Sequence, residues 1–117
     1  MNALIEELKN RGCDIEGAMS RFLNDEAFYL RCYKIVMEDK NFDKLKTSLE
    51  NGEVTNAFEA VHSLKGVVAN MGISPMYDII VEMVDPLRQG SAEGLMPKCE
   101  QLLEMKDSFS KLMDIDS

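Results

Sequence analysis

The sequence is poor in the residues that build metal sites and disulfide frameworks. Its 117 residues include one histidine, three cysteines and no tryptophan. Cys13, Cys32 and Cys99 are an odd number at wide spacing without a CxxC pair, which excludes the usual zinc patterns and argues against disulfides. We therefore predict reduced, partly buried thiols and a chain that binds no metal or cofactor of its own.

Basic charge and long apolar runs are also scarce. The formal net charge is −8, and nucleic-acid binding needs a clustered basic face, so we do not expect a nucleic-acid partner. No window approaches about 18 uninterrupted apolar residues, and the N-terminus lacks the basic and apolar regions of a secretion signal. The sequence thus predicts a cytoplasmic protein without membrane contact.

Strand patterns are missing as well, whereas helical periodicity covers most of the chain. The length of 117 residues and the hydrophobic fraction of 45% fit a single domain, 1–117. Short connections between helices make successive helices antiparallel. We therefore predict an all-α fold, an up-and-down four-helix bundle with one or two short additional N-terminal helices, and we expect a monomer.

Caps and apolar spacing predict three helices before the histidine. Two short helices are expected at 2–10 and at about 15–23. The apolar face of the second consists of Ile15, Met19, Phe22 and Leu23. A long helix should then run from an N-cap at Asn24 or Asp25 to Asn51 and Gly52, with a bend near Asp39, where its apolar stripe falters. This stripe consists of Phe28, Cys32, Ile35, Phe42, Leu45 and Leu49.

Glycine and proline delimit the later helices. A helix over 54–71 should end at Gly72, because glycine suits the left-handed position after a helix. The next helix is predicted to start at a Ser74 cap. Pro86 should kink or end it, because proline lacks the amide donor and clashes with the preceding turn. The last helix accommodates Pro97 only in its first turn.

The single histidine lies in the stretch "VHSLKGVVANMG", residues 61–72. On a helical wheel of about 100° per residue with Val61 as origin, a buried stripe falls within about 80°. It consists of Val54, Ala57, Phe58, Leu64, Val68 and Met71. His62 falls at about 100°, on the margin of this stripe, and Thr55, Gly66 and Ala69 lie beside it. The histidine is therefore predicted to stand in a strip of small side chains.

This arrangement suits phosphoryl chemistry. Glycine inside a helix costs about 1 kcal/mol relative to alanine, so either packing or access should explain Gly66. The missing side chain clears space beside His62, where another protein could bring a reactive group. A neutral imidazole is a good nucleophile, and Lys65 is close enough to stabilise an anion on the ring. By residue type alone, a partly buried polar histidine without chemistry is the competing interpretation.

The stretch resembles the H-x-[LI]-K-G-x5-G motif of histidine-containing phosphotransfer domains. The fixed positions are His62, Leu64, Lys65, Gly66 and Gly72. The preceding "GCDIEGAMSRFLNDEAFYLRCYKIVMED" and "LENGEVTNAFEAVH" resemble the family's first helices and the turn into its histidine helix. The resemblance covers about residues 10–112, nearly the whole chain.

The resemblance implies a phosphorelay intermediate of two-component signalling. His62 would accept a phosphoryl group from a receiver-domain aspartate and pass it to another, with Lys65 as electrostatic support and Gly66 keeping the approach open. The implied partners are response-regulator receivers or a hybrid sensor histidine kinase, and the receiver supplies Mg²⁺. Several family members place a glutamine on the next helix to hold the imidazole. Here the position is Val84, so another group or water must orient the ring.

Two other functions compete with this one. A histidine kinase needs an ATP-binding domain, and the chain has neither the length nor a glycine-rich phosphate loop, so we expect a phosphoryl carrier and not an enzyme. A non-catalytic helical adaptor that binds a receiver without phosphotransfer is the remaining alternative. It would fit if His62 were buried or its neighbours were bulky.

Overall fold

The structure is a computed structural model that describes residues 2–116, and within this range it contains helices and turns but no strand. The helices are α1 (Ala3–Asn10), α2 (Ile15–Arg21), α3 (Glu26–Met37), α4 (Asn41–Glu50), α5 (Val54–Met71), α6 (Ser74–Arg88) and α7 (Met96–Lys111), followed by a 3₁₀ turn, Leu112–Asp116. From α4 to α7, each helix packs against the next one along the chain. Helix α7 also packs against α4, so these four helices form a closed bundle. The predicted all-α bundle with short N-terminal helices is confirmed.

The long first helix of the bundle is broken, where the sequence predicted only a bend. Helix α3 ends at Met37 and α4 begins at Asn41. In between, the Asp39 carboxylate accepts a hydrogen bond from the Asn41 amide at 2.8 Å. A short polar side chain that bonds the nearby backbone competes with the helical hydrogen bonds, so the chain leaves the helix at this position.

The predicted apolar face of α3 is wrong. Phe28 and Ile35 are 42% and 68% exposed, whereas Tyr29 and Tyr33 are fully buried. The Tyr29 hydroxyl donates to the Met71 carbonyl at 2.8 Å, and the Tyr33 hydroxyl donates to a carbonyl of α7 at 2.6 Å. Burial of a phenol is favourable when its hydroxyl finds such an acceptor. The part of the stripe on α4 is confirmed, since Phe42 and Leu45 are buried.

The second short helix also ends earlier than predicted. Helix α2 stops at Arg21, and Leu23 is 85% exposed instead of lying on the apolar face. Leu23 and Asn24 both have left-handed backbone angles, with φ of 55° and 59°. They turn the chain toward Asp25, whose carboxylate caps α3 by accepting a hydrogen bond from the Phe28 amide at 3.0 Å.

Helix α6 differs from the prediction at its N-cap, and of the two outcomes predicted for Pro86, a kink or a helix end, the helix end does not occur. Helix α6 does not end at Pro86 but continues to Arg88, and its N-cap is Ile73 rather than Ser74. Leu87 is buried in the core, and burial of this side chain favours continuation of the helix beyond the proline. Pro97 is the second residue of α7, in the first turn as predicted.

The cysteines are free thiols at different depths. Cys13 and Cys99 are buried and Cys32 is half-buried. Burial raises the pKa of the Cys13 and Cys99 thiols to about 11, so both are neutral near pH 7.

In the part of the chain that the structure describes, no helix is long and apolar enough to cross a membrane.

Candidate functional site

Helix α5 carries the candidate site, and its C-terminal end is fixed by Gly72. This glycine has a left-handed φ of 73°. A Cβ atom at this position would lie 2.3 Å from the Asp14 carbonyl oxygen. The Asp14 amide also donates to the Gly72 carbonyl at 2.8 Å. The second glycine of the motif therefore serves the fold, because it lets α5 end against the start of α2.

His62 is exposed on α5, as the wheel predicted. Val61 and Leu64, which flank His62 in the sequence and belong to the buried side of α5, are completely buried. Thr55, His62, Gly66 and Ala69 are all exposed, and the helix places them on one side of α5. Val54 and Phe58, which were predicted within the buried stripe, are only half-buried. The imidazole is therefore accessible to a partner protein.

The space above Gly66 is open. A Cβ atom built on this residue would meet nothing within 4 Å, although Gly66 lies inside a helix. No neighbour in residues 2–116 thus requires a glycine here, in contrast to Gly72. The open space lies one turn beyond His62, where an approaching partner would pass.

Lys65 offers an unpaired positive charge beside this space. It is half-buried, and no carboxylate of the described residues lies within 4.0 Å of its ammonium group. Lys44, by comparison, pairs with Glu59 on α5 at 3.3 Å. Because no carboxylate neutralises it, the Lys65 ammonium is available to an anion that comes from outside the chain.

The ring of His62 stacks on Phe58. The two ring centroids are 5.7 Å apart and the planes are inclined by 20°. Val84, the residue at the glutamine position, is 3% exposed and has no polar group to offer. Among residues 2–116 the imidazole has no hydrogen-bond partner. Phe58 was missed as a site residue because the wheel assigned it to the core, although its i, i+4 spacing to His62 indicates a contact.

Comparison with known families decides the identity of the chain. The family model of the Hpt domain matches residues 36–112, about two thirds of the sequence. The chain belongs to the Hpt domain family. Hpt domains take part in phosphotransfer in two-component phosphorelays, where they interact with receiver domains and kinases. No curated protein and no solved structure matched the chain.

In this Hpt domain, Arg21 anchors the last turn of the histidine helix. Its guanidinium donates to the carbonyls of Ala69 and Asn70, both at 3.0 Å. A cation at a helix C-terminus also interacts favourably with the helix dipole. Ala69 and Tyr77 line a cavity of about 170 Å³ beside this anchor. Arg21 thus connects α2 to the C-terminal end of α5.

Proposed function

We propose that this Hpt domain is a phosphorelay intermediate that carries the phosphoryl group on His62. The exposure of the imidazole on the family-matched helix, next to the open space at Gly66, is the observation that carries the proposal. The phosphoryl group comes from an aspartyl phosphate of one receiver domain and passes to the aspartate of another. The partners are response-regulator receivers or a hybrid sensor histidine kinase, met in the cytoplasm.

The chemistry needs one nucleophile from this chain. The lone pair of a neutral imidazole nitrogen of His62 attacks the phosphorus of the aspartyl phosphate. A nitrogen–phosphorus bond forms while the bond from phosphorus to the aspartate oxygen breaks, and its electron pair returns to the carboxylate. The proton on the other ring nitrogen stays there or is released to water. Attack by a second aspartate reverses these steps.

The neighbours of His62 have distinct roles in this proposal. The Lys65 ammonium attracts the phosphoryl oxygens as a point charge, since charge-assisted contacts are stronger than neutral ones. Gly66 leaves room for the receiver loop that holds the aspartate, and the small side chains of Thr55 and Ala69 widen this room. Mg²⁺ is expected on the receiver, and no cofactor is expected on this chain.

The proposal is tested by phosphoryl transfer from a receiver domain. Incubation with a receiver that carries a labelled aspartyl phosphate should give an acid-labile, base-stable label on this protein. His62→Gln should abolish the label completely, because glutamine lacks a nucleophilic ring nitrogen. Asn56→Gln, at another exposed position of α5, is the matched control and should label like the wild type.

Two outcomes would contradict the proposal. A label that persists in His62→Gln would mean that another residue is the acceptor. A wild-type protein that binds phosphorylated receivers without becoming labelled would instead support the adaptor function. The exposure of His62 weighs against the adaptor, because a buried histidine was the condition under which it was expected.

A further inference from the structure

Phosphoryl transfer requires an oriented imidazole, yet His62 has no internal hydrogen bond that would orient it. An exposed histidine side chain rotates about two bonds, and only some ring positions align a nitrogen with the incoming phosphorus. Val84, at the position where several family members carry a glutamine, cannot accept or donate a side-chain hydrogen bond. Something other than a hydrogen bond within residues 2–116 must therefore restrict the ring.

We propose that Phe58 is a positioning residue, whose ring stacks on His62 and, steadied by Arg88, holds the imidazole in the plane needed for transfer. This inference rests on the proposed function of His62. The centroid distance of 5.7 Å and the inclination of 20° are typical of offset-stacked rings. Stacking restricts rotation of the imidazole about its last side-chain bond, while the residue as a whole stays exposed.

Phe58 is itself held in place from two sides. It is half-buried and packs against the hydrophobic core, so its position is set by the bundle rather than by solvent. The Arg88 guanidinium lies 5.7 Å from the centroid of the same ring, within the range of a cation–π contact. Asp85 pairs with this guanidinium at 2.9 Å on α6. The imidazole plane is thus coupled to two helices of the bundle.

The stacking can be measured in the free protein, without a receiver. His62 is the only histidine, so its two imidazole carbon-bound protons give unique NMR signals. The Phe58 ring current should shift these signals from their unstacked positions. Phe58→Tyr should keep the shift because the aromatic ring remains, and Phe58→Leu should lose it. Unchanged signals in Phe58→Leu would overturn the stacking itself.

The chain offers a matched control for this measurement. Phe28 on α3 carries the same kind of contact, with the Arg31 guanidinium 5.7 Å from its ring centroid, but it does not touch the histidine. Phe28→Leu should leave the His62 signals unchanged. Arg88→Gln is a second test variant, since Arg88 is exposed and its replacement does not threaten folding. It should reduce the ring-current shift of His62 partially, because the Phe58 ring loses one restraint.

The functional consequence appears in the transfer kinetics. At saturating phosphorylated receiver, Phe58→Leu should lower the maximal transfer rate about two- to tenfold. The receiver concentration at half-saturation should stay the same, because Phe58 positions the ring and does not bind the receiver. Phe58→Tyr should restore the rate. A Phe58→Leu variant with an unchanged maximal rate would overturn the positioning role, whereas an unlabelled wild type would overturn the proposed function of His62.

Discussion

The fold requires a glycine at Gly72 but not at Gly66. Gly72 is required inside the chain, because its left-handed φ and the nearby Asp14 carbonyl leave no room for a side chain. Gly66 has helical geometry and open space where its side chain would be. A glycine that the fold does not need, beside an exposed histidine, supports the proposal that Gly66 leaves room for a receiver domain.

Gly66→Ala should therefore stabilise the protein while it impairs transfer. We expect the free energy of unfolding to rise by about 0.5–1 kcal/mol, because alanine is the better helix former and meets no neighbour. Gly66→Leu should keep the helix content and slow phosphoryl transfer more strongly than Gly66→Ala. Urea unfolding and transfer rates from a phosphorylated receiver measure the two effects.

Gly72→Ala is the matched control, and it should be destabilised by about 2 kcal/mol through backbone strain. If Gly66→Leu transferred phosphate at the wild-type rate, the access role of Gly66 would be wrong. If Gly66→Ala were destabilised like Gly72→Ala, an internal contact would explain the glycine instead.

Lys65 should contribute to transfer through its charge alone. Its ammonium has no carboxylate partner among the described residues, so removal of the charge breaks no ion pair of the fold. We expect Lys65→Ala to leave the melting temperature nearly unchanged and to lower the transfer rate or the lifetime of phosphohistidine about three- to tenfold. Lys44→Ala, which removes the pair with Glu59, is the control and should transfer normally. Equal rates for both variants would show that the Lys65 charge is not used.

At the scale of the helices, the two buried tyrosine hydroxyls of α3 connect it to α5 and to α7. The Tyr29 hydroxyl bonds the Met71 carbonyl, one of the terminal carbonyls of α5. Tyr29→Phe should lower the free energy of unfolding by about 1–2 kcal/mol, because the carbonyl remains buried without this donor. Chemical denaturation measures the loss. Tyr77→Phe, whose hydroxyl makes no hydrogen bond within residues 2–116, should lose much less, and equal losses would refute the role of this bond.

The same bonds explain why the sequence predicted α5 correctly but not the face of α3. The bounds of α5 agree with the prediction, and Gly72 ends the helix as expected. In α3, Phe28 and Ile35 follow helical spacing as well as Tyr29 and Tyr33 do, so spacing cannot choose between the two faces. The choice depends on carbonyl acceptors that other helices supply.

The candidate site likewise combines features that the sequence predicts with features that depend on tertiary packing. The exposure of His62 and Gly66 follows from the geometry of one helix, which a wheel reproduces. The stack on Phe58 is also local, but its i, i+4 spacing was interpreted as core packing. The contact of Arg88 with that ring depends on how α5 and α6 pair and on α6 continuing beyond Pro86. A sequence pattern that predicts a helix end at proline cannot place this arginine near the site.

At the scale of the whole molecule, one hydrophobic cluster extends from α1 to the last turn. Helix α1 packs on the 3₁₀ turn after α7. Arg11 joins the two ends of the chain, since it donates to the Ser108 hydroxyl at 2.8 Å and lies 5.4 Å from the Phe109 ring. Within this cluster lie four groups that ionise only at alkaline pH. They are Cys13, Tyr29, Tyr33 and Cys99.

Because these groups are buried in their neutral forms, we expect the free energy of unfolding to fall at alkaline pH. Burial raises the pKa of the Cys13 and Cys99 thiols from 9.0 to about 11, and it raises the pKa of both phenols as well. Between pH 9 and 11 the unfolded chain has released thiol protons that the folded chain still holds. The unfolded state then binds fewer protons, so the free energy of unfolding falls as pH rises. Below pH 9 the two thiols contribute no pH dependence.

Denaturation between pH 8 and 11 measures this slope. Each thiol should contribute up to about 1.4 kcal/mol per pH unit. A Cys13→Ala, Cys99→Ala double variant will be less stable at pH 8, because it loses buried sulfur atoms from the core. Its stability should nevertheless decline less steeply than that of the wild type above pH 9, since two of the four buried titrating groups are gone. Parallel declines in both proteins would show that the buried thiols do not control the alkaline limit of the fold.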